Sequence, residues 1–296
     1  MPILTRETAG LKLPRMVRLR QRFDPERLDD PSAEAFRAAA EAARVLSPGA
    51  RVAVAVGSRG IRNLQAIVRA VLEALRGAGT EPFIVAAMGS HGGGTPEGQR
   101  AVLASYGITE ELMGVPIDAE METVELGRTA SGVPVRFARS ALDADAVIPV
   151  ARIKPHTDFR GPVESGLCKM LAIGLGKHEG CSRLHKEGFH RFSTLIPEAA
   201  GRILESAAVP FGIAILENAY DETCLIEAVP GARFLERERE LLPLAAARMP
   251  RLLFPKIDVL VVERIGKDIS GAGMDPNIVG RRSEERRVGK ECRSRW

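Results

Sequence analysis

The chain has 296 residues, 45% of them hydrophobic and 27% charged, which predicts a globular protein of one large or two ordinary domains with a sizeable core. Its four cysteines, Cys168, Cys181, Cys224 and Cys292, are scattered without a CxxC pair, so neither a disulfide framework nor a sulfur-rich zinc site is indicated. Of the formal charge of +4, three units fall in the last fifteen residues, RSEERRVGKECRSRW; the near-neutral remainder argues against a nucleic-acid partner, and the lack of a long uncharged apolar run or of a signal-peptide core leads us to expect no membrane span and a cytoplasmic location.

In chain order, the first apolar run is RVAVAVG (51–57), read as a strand that exits into GSRGIR. NLQAIVRAVLEALRGAG comes next, with apolar residues at three- and four-residue spacing and a glycine stop, so it reads as an amphipathic helix. A second strand, PFIVAAMG (82–89), runs into GSHGGGT, and TPEGQRAVLASYG then opens a helix at an approximate threonine cap. METVELGRTASGVPVRFA has the pattern of a hairpin turning at its Ser-Gly pair. AVIPVARI (146–153), exiting into KPHTDFRG, and FGIAILE (211–217), exiting into ENAYDET, are further strands. KIDVLVVERI (256–265) is a fifth, exiting into GKDISGAGMDPN. FSTLIPEAAGRILESA and ERERELLPLAAARM read as helices, each with an internal proline that starts or kinks it.

This alternation predicts an α/β protein: a Rossmann-like open sheet with helices on both faces, over residues 1–140, followed at 141–281 by the remainder of the catalytic region and the start of a second α/β domain. Residues 282–296 hold the only Trp and break abruptly from the preceding composition. They read as a translated sequencing adapter, so the natural protein is expected to continue past Arg281 and the second domain to be truncated.

In open α/β sheets ligands collect at the carboxyl ends of the strands. All five exits are polar, Gly-containing or charged, and two carry histidine, which favours one shared site. The three glycines after His91 let the backbone approach a ligand and offer N–H groups to an anion; with no GxSxG elbow in the chain, a serine hydrolase is disfavoured. His156, beside Lys154, Asp158 and Arg160, is a candidate acid/base, with a surface histidine bonded to Asp158 as the alternative. Arg59 and Arg62 are candidates for gripping a carboxylate or phosphate, or else are solvated charges. PVESGLCKMLAIGLG is dense enough for a buried helix ended by Gly174 or Gly176. It places Lys169 in an apolar run, where the amine is either an attachment point or snorkels to the surface. GLGKHEG lacks the first glycine and the Ser/Thr of an ordinary phosphate loop. His178, His185 and His190 follow Lys169 at spacings of seven and five without HExxH order, so zinc is only weakly signalled.

The GSHGGGT loop and the block KPHTDFRGP…SGLCKMLAIGLGKHEG resemble the lactate racemase family, over most of residues 15–281. The most specific element is the combination of His91, His156, Lys169 and, sixteen residues after it, His185. The resemblance implies a nickel-pincer nucleotide tethered covalently to Lys169 through a thioamide, with His185 as the protein ligand to nickel. It also implies His91 and His156 as the acid/base pair and Arg59 as an anion-binding residue. The activity implied is racemisation or epimerisation of a small 2-hydroxy acid by reversible hydride transfer, with cofactor-synthesis proteins as partners. Two other readings use the same residues: a non-catalytic relative that binds an anionic ligand, and a zinc hydrolase built on His156, His178 and His185.

Overall fold

Val52, Val54 and Val56 point to one side of their strand and Ala53 and Ala55 to the other, and all five are buried. A strand buried on both faces needs cover on both, and this one lies at the centre of a sheet clothed that way. The computed structural model describes residues 15–58, 60–266 and 273–280. Its strands are β1 (Arg51–Val56), β2 (Glu81–Ala86), β3 (Ile117–Asp118), β4 (Thr123–Arg128), β5 (Pro134–Ala138), β6 (Ala146–Arg152), β7 (Phe211–Glu217) and β8 (Thr223–Pro230). Six of them form one sheet in the order β3-β2-β1-β6-β7-β8, drawing strands from both sides of residue 140; β4 and β5 make a separate hairpin. Pairings across β3, β2, β1, β6 and β7 are parallel, and only β8 runs antiparallel, against β7.

The helices are α1 (Pro31–Ala42), α2 (Leu64–Gly77), α3 (Pro96–Ser105), α4 (Glu110–Met113), α5 (Arg139–Leu142), α6 (Leu167–Lys169), α7 (Lys177–Lys186), α8 (Phe192–Ser206), α9 (Phe234–Arg248) and α10 (Pro276–Val279). One core joins Val52, Val54 and Val56 to apolar residues of α1, α2 and α3; the other joins Ala53 and Ala55 to the hairpin and to α6 through α9. The expected α/β sheet with helices on both faces is therefore present. The expected hairpin turns at Ser131-Gly132, with Gly132 at φ 83°, and Thr95 caps α3 by accepting from the Gly98 N–H at 3.1 Å. Helices α8 and α9 continue through Pro197 and Pro243.

The strand expected at 256–265 does not form. Residues 256–266 lie outside any regular element, with Val259 80% and Val261 86% exposed. A β-branched run becomes a strand only when a neighbour takes up its backbone hydrogen bonds. Among the described residues the sheet ends at β8, and no strand is placed to pair with this segment. Residues 282–296 lie outside the described residues. Among the described residues, no helix is long and apolar enough to cross a membrane.

Candidate functional site

The parallel strands β1, β2, β6 and β7 all end on one edge of the sheet, so four of the five expected exits converge there. The strand order reverses between β1 and β6, and a crevice opens at such a switch point. Here it is a cleft of about 670 Å³ including its open mouth, whose lining includes Ser58, His91, Arg152, Lys169, Met170 and Gly174. Its wall is mostly apolar, with a few polar groups directed into it, the usual character of a ligand site.

His91 sits in the loop after β2. Gln99, fully buried, donates from Nε2 to the carbonyls of Gly89 at 2.8 Å and His91 at 3.3 Å, and so holds the loop from beneath. The imidazole Nδ1 lies 2.5 Å from Ser58 Oγ, linking the β1 and β2 exits. Gly92, Gly93 and Gly94 all have positive φ, but two of them serve the protein's own packing rather than an open anion nest. A Cβ on Gly92 would stand 2.5 Å from the Gly98 carbonyl carbon, and one on Gly94 would stand 2.8 Å from His178 Nδ1; Gly93 alone of the three faces open space.

Lys169 ends the short turn α6, which passes directly into a π-helical turn, Met170–Gly174. The expected buried helix is thus present, broken at Gly174 to Gly176 before α7 begins. Lys169 is half-buried, its Nζ 5.6 Å from the centre of the Phe159 ring, so the amine neither sinks into the core nor snorkels fully free.

His156 and His185 are not part of the cleft wall but meet at an aromatic cluster that reaches Lys169 through Phe159. The His156 ring lies 4.5 Å from Phe159 and 6.0 Å from Phe189; the His185 ring lies 5.4 Å from Phe189 and 5.0 Å from Phe192. His156 is buried, contrary to the surface alternative. The Asp158 backbone N–H donates to its Nδ1 at 3.1 Å, which in a neutral ring assigns the proton to Nε2. Glu164 accepts the His156 backbone N–H at 2.6 Å, and Asn277 Nδ2 donates to the His156 carbonyl at 3.2 Å. The end of the fifth exit segment therefore still reaches this loop.

His185, on α7, has Nδ1 2.7 Å from the Cys181 carbonyl and 3.4 Å from Cys181 Sγ. The carbonyl can only accept, so Nδ1 carries a proton and Nε2 is left as the ligating nitrogen. The bond with the Cys181 side chain raises the His185 pKa above its usual value, against desolvation and the nearby Lys169 charge. Burial pushes the Cys181 thiol up, but its bonds with His185 and Ser90 outweigh this and hold it below the usual thiol range. Since the Cys181 thiol also donates to Ser90 Oγ at 3.6 Å, the histidine loop and the His185 helix are joined side chain to side chain.

Arg59 lies outside the described residues. Arg62 is exposed, and its backbone N–H donates to Glu217 Oε1 at 2.8 Å. Among the described residues, the arginine that lines the cleft is Arg152, at the end of β6, ion-paired with the buried Glu217 of β7. Burial pushes the Glu217 carboxyl up, partly offset by Arg152. Sequence reasoning passed over Arg152, although a charged residue ending an apolar strand run was a readable signal. It also passed over Lys177, which is fully buried at φ 52° and donates from Nζ to the Ala86 carbonyl at 2.8 Å; burial lowers its pKa to about 8. His178 and His190 are exposed, and among the described residues no group of three or more His, Cys, Asp or Glu side chains is placed to hold a metal alone.

Fold and site together define an α/β protein with a ligand cleft at the carboxyl edge of a parallel sheet, lined by a lysine and a histidine among others. More narrowly, residues 29–194 match the model of the lactate racemase N-terminal domain, and the chain belongs to that family. Its structure is similar to that of the lactate racemase apoprotein from Thermoanaerobacterium thermosaccharolyticum, with a TM-score of 0.56 and 12% sequence identity over 76% of this chain and 57% of that one. At that identity the likeness shows the fold, and the chain spans little more than half the length of that relative. No match was found among curated proteins.

Proposed function

We propose that the protein is a racemase or epimerase of a small 2-hydroxy acid that works with a nickel-pincer nucleotide. When bound, that group supplies a reversible hydride acceptor for the substrate carbon. The observation that carries the reading is the presence of Lys169 and His91 in one cleft at the strand switch point, with His185 and His156 around the adjoining aromatic cluster.

The side chains present fit such a group. Lys169 offers an amine at the cleft, and His185 offers Nε2 with its other nitrogen engaged by a carbonyl. A single protein ligand would suffice where the cofactor supplies the remaining donors. Epimerisation at a hydroxyl-bearing carbon requires a proton to leave the oxygen and to return to it, so one group must start as base and another as acid. His91, whose Nδ1 partner is a hydroxyl able to donate or accept, can take either tautomer. His156, whose Nδ1 accepts a backbone N–H, holds its proton on Nε2 and is set to donate. Arg152 contributes the fixed cation that a carboxylate substrate needs.

The deciding experiment is intact-protein mass spectrometry with metal analysis after co-expression with cofactor-synthesis proteins. The expected result is nickel together with an adduct that Lys169→Arg abolishes. An unmodified mass carrying stoichiometric zinc overturns the reading.

A further inference from the structure

The turn that carries Lys169 lacks a cap of its own. Gly166 precedes it with no side chain to offer, so the first backbone N–H groups of the turn, at Leu167 and Cys168, have no partner within the helix. Glu238, from the middle of α9, reaches across to fill that place. Its Oε1 accepts the Cys168 N–H at 3.2 Å, and the Leu167 N–H lies near the same carboxylate. Glu238 is 2% exposed, and a Cβ on Gly166 would stand 2.1 Å from Oε1, so the glycine leaves the space the carboxylate occupies. A buried carboxylate is costly, and the helix could have been capped from solvent or by a serine at 166. The partner that packs here instead is a distant charged residue whose bonds end one residue short of the amine lining the cleft.

We infer that Glu238 is the positioning residue for Lys169: a cap supplied from α9 that fixes the first turn of the helix and thereby holds the amine at the cleft. The role of Lys169 as attachment point is the proposed function on which this rests, but its position can be read without any cofactor.

The test is acylation of the cofactor-free full chain with an amine-reactive ester, following the Lys169 peptide by mass spectrometry against exposed Lys186 and Lys256 as internal standards. Losing a cap of ordinary strength shifts the opening of a turn by about fivefold, so Glu238→Ala is expected to raise the Lys169 labelling rate by about that factor toward the rate of Lys186. Glu238→Gln, which keeps the acceptor oxygen, is expected to label like the wild type. Gly166→Ala, which displaces the carboxylate without removing it, is expected to behave like Glu238→Ala. Folded Glu238→Ala or Gly166→Ala protein that labels at the wild-type rate overturns the inference and leaves Glu238 a core residue. Where those variants do not fold, hydrogen exchange on the wild type decides: the Leu167 and Cys168 amides must be protected, and exchange at the rate of loop amides overturns it. The outcome is separable from that of the proposed function, since a missing Lys169 adduct on the loaded protein leaves these rates unchanged.

Discussion

His91 and His156 are held by bonds of different kinds, and under the proposed function this gives them different duties. Ser58 Oγ can turn its proton toward His91 or away, whereas the backbone N–H of Asp158 can only donate to His156. Replacing either histidine by glutamine is expected to lower racemisation by about 10²- to 10⁴-fold, the range of a lost acid or base, while leaving the Lys169 adduct intact by mass. Normal turnover in either variant removes that histidine from the mechanism. Ser58→Ala is expected to cost about fivefold, the effect of one neutral hydrogen bond, measured as kcat at saturating substrate. The residue pattern His91, His156, Lys169 and His185 was legible in the sequence because it is a matter of identity and spacing. Lys177 was not, since nothing in a linear reading tells which of the chain's cations is sealed in the core; Arg152, though marked by its place at the end of an apolar strand run, is assigned to the cleft only by the fold.

Among the elements, the glycine loop shows how a correct location can carry the wrong reason. The sequence marks GSHGGGT as a place of close approach, but Gly92 is tight against Gly98 at the start of α3 rather than against a ligand. Gly92→Ala, at φ 64° and with its Cβ driven into backbone, is expected to destabilise the fold by about 2 kcal/mol or more in thermal denaturation. Gly93→Ala meets only the positive-φ strain and is expected to cost less. A Gly92→Ala variant melting like the wild type would mean that the loop relaxes freely. The buried runs of β1, β2, β6 and β7 were readable because parallel strands covered on both faces are nearly continuous in apolar residues. α1 escaped notice because its buried face is all alanine, Ala35, Ala38 and Ala39, and β8 because its buried and half-buried residues mix polar with apolar. The run at 256–265 misled for the opposite reason: its composition is that of a strand, and pairing is a property of neighbours.

Across the whole molecule, two buried ionisable groups give stability opposite slopes in pH. Burial raises Glu238 to about 7, and its contribution is full below the ordinary carboxylate value and is lost as pH rises through about 7. Lys177 is lowered to about 8, so its contribution is full above the ordinary lysine value and is lost as pH falls through about 8. Each is worth on the order of 3 kcal/mol across its window. In calorimetry, the Tm of Glu238→Gln relative to wild type is expected to rise between pH 5 and 8. That of Lys177→Met is expected to fall between pH 8 and 10. A difference constant in pH for either variant contradicts the assigned burial cost.

The fifteen residues between Lys169 and His185 are not one helical period repeated. They comprise a π-helical turn at Met170–Gly174, a left-handed residue at Lys177 and then α7. A wide turn of this kind holds one more residue than an α-helical turn would, so the chain takes up an extra residue here without a loop. The relation of Lys169 to His185 is therefore set by the break at Gly176 and Lys177 as much as by helical phase: the two residues stand on separate helical segments and not on one face.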